Sequence, residues 1–196
     1  MLAYLSWHRP AIGVQQERYE RALENFHRSL AHQRPNGFRG SATIRMPDLP
    51  WLTPIAEAEV GCGYEDWYLV DDWSAIGVLE EAAVSHGHLT AHNAAASLAG
   101  AATGAVYRLL EGQPSLTAPG AVWVTGKLAP GRSFLAEMLG DGMDPQQAGL
   151  WRRCVGLGPA PEYCLLTTEV PAGVAVDRLP KSWTTETLVR EPIWSG

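Results

Sequence analysis

The spacing of the apolar residues changes repeatedly along the first 111 positions, and this pattern constrains the fold more than any other feature. Apolar and polar side chains alternate over 2–8, as they do in a strand with one buried face. Over 15–32 the apolar residues recur every three or four positions, which predicts a helix. The same reasoning predicts strands at 41–46, 66–72 and 105–111, a helix that begins after Asp72 or Ser74, and another at 90–101.

The predicted order over 1–111 is strand, helix, strand, strand, helix, strand, which is that of a ferredoxin-like α+β unit with an antiparallel sheet. The segment GQPSLTAPG, at 112–120, has the composition of a linker. In 121–196 the sequence predicts strands at 121–128, 163–170 and 187–194, and helices at 133–141 and 146–155. This half repeats the opening order of the first half, although the two sequences share little. We therefore predict a degenerate internal duplication of one α+β unit.

Composition and charge exclude several classes of function. The chain has 196 residues, a net charge of −6 and only two lysines, and it lacks the basic stripe that phosphate binding needs. No nucleic-acid partner is therefore expected. No apolar run reaches the roughly 18 residues that cross a membrane, and the N-terminus lacks the basic start of a signal peptide. Three widely spaced cysteines without C-x-x-C are typical of the reducing cytoplasm, which is the localisation we expect.

Aromatic residues are frequent on the predicted strands. Eight tryptophans predict large packed clusters or an interface, because each indole buries much area and needs a partner for its N–H. Most of these aromatic residues are expected in the core. The candidates for contact with a ligand are Tyr4, Tyr68, Tyr107 and Trp123. The nucleotide-binding pattern G-x-G-x-x-G and the hydrolase pattern G-x-S-x-G are absent from the sequence.

Three of the six histidines fall in HGHLTAHNAAA, at 86–96. His88 and His92 share a helix face if the helix begins before His88. The zinc-protease pattern H-E-x-x-H is excluded because position 89 is Leu, and a two-histidine site needs a third ligand, so no metal site is predicted. The histidines can be surface or interface residues, metal or haem ligands, or a general acid or base. We take His88 as a candidate catalytic residue and His92 as a candidate ligand contact.

His8 and Arg45 are the other candidate catalytic residues. His8 ends the first predicted strand on its polar side, and Arg45 lies on the second strand. A histidine at a strand end has a structural role in the simplest interpretation. If both residues line a cavity, they can hold a carboxylate or polarise a carbonyl. In the first helix, His27 is expected to be solvated, and His32 suits the negative end of the helix dipole.

The segment WYLVDDWSAIGVLEEAAVSHGHLTAHNAAA, at 67–96, resembles the dimeric α+β barrel superfamily, and within it the antibiotic-biosynthesis-monooxygenase-like proteins. In that group a strand with aromatic and acidic residues precedes a tryptophan, a helix and a histidine-bearing turn. The matching positions here are Trp67, Tyr68, Asp71, Trp73, His88 and His92. The resemblance covers this segment well and 1–111 by element order.

The resemblance implies that each sheet carries helices on one face and packs its other face against a second unit, closing a barrel around a cavity. The second unit is the C-terminal half, another subunit, or both, and a homodimer is expected. The implied function is binding of a small molecule. In an enzyme of this type, a cofactor-independent oxygenase or isomerase, His8 or His88 is the base and Arg45 polarises the substrate. The alternatives are a non-catalytic binding or sensing protein and a haem protein with His8, His88 or His92 as axial ligand.

Overall fold

The computed structural model describes residues 1–47, 49–52, 62–85, 87–126, 145–168 and 183–196. They form nine strands and three α-helices: β1 (Leu2–Pro10), α1 (Gln16–His32), β2 (Phe38–Met46), β3 (Gly63–Val70), α2 (Trp73–Ala83), α3 (Leu89–Ala96), β4 (Ala99–Gly112), β5 (Gly120–Thr125), β6 (Ala148–Gly156), β7 (Tyr163–Thr167), β8 (Thr184–Val189) and β9 (Glu191–Ser195). The predicted α+β class with an antiparallel sheet is confirmed. The helix predicted at 133–141, and His86, lie outside the described residues.

All nine strands belong to one antiparallel sheet, in the order β8-β5-β7-β6-β4-β1-β3-β2-β9. β8 and β9 are therefore at opposite ends of the sheet, yet only Arg190 separates them in the chain. In a flat sheet these two strands would be about 38 Å apart, at about 4.8 Å per strand. One residue spans at most about 3.6 Å. The sheet must therefore curl until its two ends meet.

The two faces of the curled sheet have different surroundings. Leu5 and Trp7 of β1 point into the interior, whereas Tyr4 and His8 point outwards, as the alternation predicts. The three helices cover the outward face of β1–β4, and α1 packs Phe26 and Leu30 against it. Burial of each such apolar side chain contributes roughly 1.5–3 kcal/mol. Within the described part of the chain, none of the helices is both long enough and apolar enough to cross a lipid bilayer.

The two halves of the chain have the same strand order. The first four strands lie in the order β4-β1-β3-β2, and the next four lie in the order β8-β5-β7-β6. Each set therefore has its first strand beside its fourth and third, and its second strand at the far end. β4 pairs with β6 and joins the two sets into one sheet. The interior core contains residues of both halves, for example Trp7 and Trp123, which are in edge contact.

The prediction of a helix at 146–155 is wrong, because most of this segment forms β6. Residues 148–151 are all buried, so this part of the strand has no polar face. A continuous apolar run of this kind does not distinguish a buried strand from a buried helix. Only the pairing with β4 and β7, on either side, selects the strand.

Two further boundaries differ from the prediction. The strand predicted at 187–194 is two strands, because Arg190 turns its side chain into the interior between them. The helix predicted at 90–101 ends at Ala96. Residues from Ala99 onwards pair with the end of β1 instead, so tertiary pairing overrides the helix propensity of this alanine-rich segment.

Candidate functional site

The candidate residues predicted from the sequence lie on two sides of the sheet. One group is on the outward face or in the helices that cover it: Tyr4, His8, Arg45, Tyr68, His88 and His92. Tyr107 and Trp123 belong to the interior core. The three catalytic candidates are His8, Arg45 and His88. Among the described residues each of them has different hydrogen-bonding partners, so the structure does not bring them together in one site.

His8 is part of a buried polar group centred on Asp66. We call this group the Asp66 cluster, and it consists of His8, Tyr19, His27, Ser41, Asp66 and Tyr68. Oδ2 of Asp66 lies 3.1 Å from Nε2 of His8 and 3.3 Å from Nε2 of His27. The same oxygen accepts a hydrogen bond from the hydroxyl of Tyr68 at 3.1 Å. The predicted ligand contact Tyr68 therefore helps to hold a buried carboxylate, and Tyr4 stacks against its ring at 6.0 Å.

The second nitrogen of each imidazole in the Asp66 cluster faces a hydroxyl group. Nδ1 of His8 is 2.7 Å from the Tyr19 hydroxyl, and Nδ1 of His27 is 2.8 Å from the Ser41 hydroxyl. A proton on Nε2 faces the carboxylate, and in the neutral ring Nδ1 then accepts a hydrogen bond from the hydroxyl. Two lines of hydroxyl, imidazole and carboxylate therefore meet at Asp66.

The charges of the Asp66 cluster are fixed by burial and by the two imidazoles. Burial alone would raise the pKa of Asp66, but His8 and His27 hold it well below its ordinary value. Burial, and next the negative charge of Asp66, raise the pKa values of Tyr19 and Tyr68 above the ordinary phenol value. The carboxyl is therefore ionised, and both phenols stay protonated and able to donate.

The Asp66 cluster is closed to solvent. The exposed fraction is 5% for His8, 3% for Asp66 and 0% for His27. The expectation that His27 is solvated is therefore wrong. Position 27 lies four residues after Leu23 and three before Leu30, so its side chain belongs to the buried stripe of α1. This arrangement connects α1 to the sheet by polar contacts and offers no opening to a dissolved substrate.

Arg45 and His88 each have partners of their own. Arg45 donates to Glu20 at 2.9 Å and also contacts Glu191 of β9 in a two-pronged ion pair. The hydrogen bonds with Glu191, the largest effect, raise the pKa of Arg45 above its ordinary value. Nδ1 of His88, at the start of α3, is 3.0 Å from the Ser29 hydroxyl of α1.

His92 lies one turn after His88, and its ring meets the edge of Phe26 at 5.4 Å. Among the described residues, no group of three or more histidine, cysteine or acidic side chains is arranged to hold a metal ion. His88 and His92 therefore have no third ligand there. Their observed contacts link α3 to α1.

The interior contains a second buried charge, on Glu65, which is next to Asp66 in the chain but points to the opposite face of β3. Arg190 donates to Glu65 through Nε at 3.1 Å and through Nη2 at 2.9 Å, and both side chains are 0% exposed. The indole N–H groups of Trp7 and Trp67 donate to the same carboxylate at 3.0 and 2.6 Å. This ion pair is therefore fully hydrogen-bonded.

A depression of about 350 Å³ opens from one end of this interior. We call it the Trp51–Trp123 depression. Its described lining comes from the turn after β2, from β5 and β8, and from the turn between β6 and β7: Pro50, Trp51, Trp123, Thr125, Pro159, Ala160, Pro161, Thr184 and Glu186. The volume is within the usual range of small-molecule pockets, roughly 300–1,000 Å³. Trp123 is thus the predicted ligand contact that the structure places in a pocket wall.

The turn between β6 and β7 is held in place from behind the depression. Tyr107 donates its hydroxyl to the Pro161 carbonyl at 2.5 Å, and Arg153 contacts the Ala160 carbonyl. Arg153 also donates to Glu162 at 3.0 Å. This wall is therefore held in place by hydrogen bonds within the protein. Tyr107, another predicted ligand contact, supports the wall rather than lining it.

The tryptophans of the interior differ in how their indole N–H groups are satisfied. Those of Trp7 and Trp67 donate to Glu65, whereas those of Trp51, Trp123 and Trp151 are buried without a partner among the described residues. A buried donor without an acceptor costs about 1–3 kcal/mol. Two of these three unsatisfied donors belong to residues that line the Trp51–Trp123 depression.

Asp66, Trp51 and Glu186 were missed as site residues by sequence reasoning. Asp66 has a detectable signal, because it is an acidic residue on the same face of a strand as Tyr68 and Val70. Trp51 follows a proline-rich segment in which no periodicity exists to place it. Glu186 is a site residue because it pairs with Trp123 on the neighbouring strand β5, and this pairing cannot be read from the sequence.

No protein-family model and no curated protein sequence matches this chain. The assignment of a function therefore depends on the geometry described above.

Proposed function

We propose that this chain is a small-molecule-binding protein built from two ferredoxin-like units in the manner of a dimeric α+β barrel. Two observations support this architecture. The strand order β4-β1-β3-β2 recurs as β8-β5-β7-β6. Helices cover one face of the first unit, and its other face shares an interior core with the second unit. The C-terminal half then takes the place that a second subunit has in a dimer.

We propose the Trp51–Trp123 depression as the ligand site. The observation that carries this proposal is that two of its wall residues, Trp51 and Trp123, have buried indole N–H groups without acceptors among the described residues, whereas those of Trp7 and Trp67 donate to Glu65. Both N–H groups are closed to solvent, so a ligand reaches them only if the indole rings turn, and an acceptor atom brought to them then removes that cost. Apolar and aromatic walls with a few polar groups are the usual composition of such pockets.

The test is a pair of tryptophan substitutions on β8. Thr184 lines the depression, and Thr187 is exposed on the opposite face of the same strand. In Thr184→Trp the new indole fills the depression without removing a core side chain. We expect this variant to lose at least about tenfold in affinity for small aromatic probes such as naphthol and coumarin, which corresponds to about 1.4 kcal/mol. Thr187→Trp should bind these probes like the wild type.

Isothermal titration calorimetry of the three proteins measures the affinities. Circular dichroism and thermal unfolding check that both variants keep the fold. Equal affinity of the two variants, or no binding of any probe to the wild type, would show that the depression is not a ligand site.

A second candidate function, a cofactor-independent oxygenase or isomerase with His8 as base, is favoured by one observation. The Asp66 carboxylate at 3.1 Å from Nε2 is a partner that can orient the ring and stabilise its protonated form. Since His8 is buried, its substrate can reach it only if α1 moves away from the sheet. Oxygen uptake with phenolic, polyketide-like substrates tests the oxygenase, and a change in substrate absorbance without oxygen uptake tests the isomerase. Turnover that is lost in His8→Asn but kept in His32→Asn, at the exposed end of α1, would favour it.

A further inference from the structure

We infer that the Trp51–Trp123 depression selects small organic cations, such as quaternary or protonated amines, over neutral and anionic molecules of the same shape. This inference depends on the proposed function, because it names the ligand class of the same site. It begins with charge: among the nine described lining residues, Glu186 alone carries a formal charge, and that charge is negative.

The register of the sheet places Glu186 beside an aromatic ring. Glu186 of β8 pairs directly with Trp123 of β5, and both line the depression. Side chains of directly paired residues point to the same face, with Cβ atoms about 4.5–5.5 Å apart. The carboxylate and an indole ring therefore lie on adjacent positions of one wall.

Tryptophan rings attract cations. The negative face of an indole stabilises an ammonium group within about 6 Å by about 0.5–1 kcal/mol at exposed sites, and more where water is excluded. Trp51 and Trp123 both line the depression, and their ring centroids are 5.3 Å apart with an angle of 60° between the ring planes. A carboxylate next to two indoles is the combination that recognises an organic cation.

Two arginines of the described residues, one behind this wall and one in the interior, are already paired with carboxylates. Arg153, behind the turn between β6 and β7, is paired with Glu162 and contacts the Ala160 carbonyl. Arg190, in the interior, is paired with Glu65 and donates to the carbonyls of Leu116 and Ala118. In the described residues these arginines therefore do not offset the negative charge of Glu186.

The inward-facing residues of β5 and β8 become more polar towards the depression. Ala121 and Leu188 belong to the core, Trp123 and Glu186 come next, and Thr125 pairs with Thr184 at the strand ends. A bound molecule therefore meets apolar surface on its inner side, and carboxylate and hydroxyl groups nearer to solvent. This gradient suits a small molecule with an apolar body and a cationic head.

The experiment uses three probes of one shape and different charge: choline, 3,3-dimethyl-1-butanol and 3,3-dimethylbutyrate. Their affinities for the whole 196-residue chain are measured by ligand-observed NMR. We expect choline to bind most tightly and the butyrate most weakly. In Glu186→Gln, the preference for choline over the alcohol should fall by about two- to fivefold, the range of exposed charge pairs, while the alcohol binds as before.

Glu17→Gln is the matched control, because it removes the same charge from an exposed position at the start of α1. It should leave the preference unchanged. If the alcohol binds as tightly as choline, or if Glu186→Gln leaves their ratio unaltered, the inference is overturned and the proposed function still stands. If none of the three probes binds and the aromatic probes do not bind either, both fail.

Discussion

Glu65 and Asp66 are neighbours in the sequence, yet their carboxylates are buried on opposite faces of the same strand. Glu65 points into the interior, where Arg190 and two indole N–H groups satisfy it. Asp66 points towards α1, where two imidazoles and a phenol surround it. Buried charges are costly unless they are paired and hydrogen-bonded. The stability of each face of the sheet therefore depends on the few side chains that pair with its buried carboxylate.

Asp66→Asn tests how much the buried carboxylate contributes to stability. Because this change removes the charge that faces His8 and His27 in a buried site, we expect it to lower the free energy of unfolding at pH 7 by about 3–5 kcal/mol. Urea denaturation followed by circular dichroism measures this loss. Asp71→Asn, at an exposed position after β3, is the control and should change stability little. A loss no larger than that of the control would contradict the role of the Asp66 cluster.

The second prediction concerns pH. The folded state holds the pKa of Asp66 below its ordinary value, so the unfolded chain binds more protons in the range between the two values. The stabilisation is therefore fully present above about pH 4 and decreases as the pH falls below it, by about 1.4 kcal/mol per pH unit. Urea denaturation between pH 2.5 and 4 should show a steeper decrease for the wild type than for Asp66→Asn. Parallel curves would contradict the assignment.

At the scale of residues, part of the Asp66 cluster could be predicted from the sequence. His27 lies on the apolar stripe of α1, so strict use of the helical period predicts its burial. His8 and Asp66 each lie on the outward side of their strand. Their meeting depends on the register in which Ser6 pairs with Asp66, and on the position of α1. Local periodicity determines neither the strand register nor the position of α1, so the contact between His8 and Asp66 could not be predicted.

At the scale of elements, α1 begins without a side-chain cap. Gln15, the residue before its first turn, makes no capping hydrogen bond, whereas Asp72 at the same position of α2 accepts one from the Ala75 N–H at 3.1 Å. We expect Gln15→Ser to raise the free energy of unfolding by about 0.5–1 kcal/mol, because the hydroxyl satisfies a free N–H of the first turn. Thermal and urea unfolding measure the gain, and Gln15→Ala is the control. An equal effect of both variants would contradict the prediction.

Elements with one buried face were predicted from their period, whereas elements buried on both faces gave mixed results: β3, β5 and β7 were predicted as strands, but β6 was predicted as a helix. β1 and α1 show clear periods of two and 3.6, and both were predicted near their observed bounds. β6 lies between β4 and β7 with its first four residues buried, so its apolar run was taken for a helix. The break at Arg190 was missed for a related reason. It is set by the buried partner Glu65, which is far away in the sequence.

At the scale of the whole molecule, Arg190 connects the two ends of the curled sheet. It lies between β8 and β9 and is paired with Glu65 of β3. We expect Arg190→Met to lower the free energy of unfolding by about 3–5 kcal/mol, because it leaves the Glu65 charge buried and unpaired. The double variant Glu65→Gln/Arg190→Met should recover more than half of that loss. Urea denaturation of the wild type, Arg190→Met and the double variant measures these differences. A double variant that is no more stable than Arg190→Met would contradict the pairing of Arg190 with Glu65 as the link between the sheet ends.

The oligomeric state belongs to the same scale. The inner face of β1–β4 is already covered by strands of the second half of the chain, so it does not need another copy to bury its core. The predicted homodimer would therefore have to form through the outer surface of the molecule. Sedimentation velocity tests it, and a monomer at all concentrations would exclude it.

The central claim is that a small molecule binds in the Trp51–Trp123 depression, and the indole N–H signals of the eight tryptophans test it most directly. In a two-dimensional ¹H–¹⁵N NMR titration with 3,3-dimethyl-1-butanol or choline, we expect the signals of Trp51 and Trp123 to shift and saturate. Those of Trp73, exposed on α2, and of Trp194, whose ring is tilted against that of His27, should stay in place. Shifts confined to Trp73 or Trp194, or no saturable shift of any indole signal, would contradict the claim.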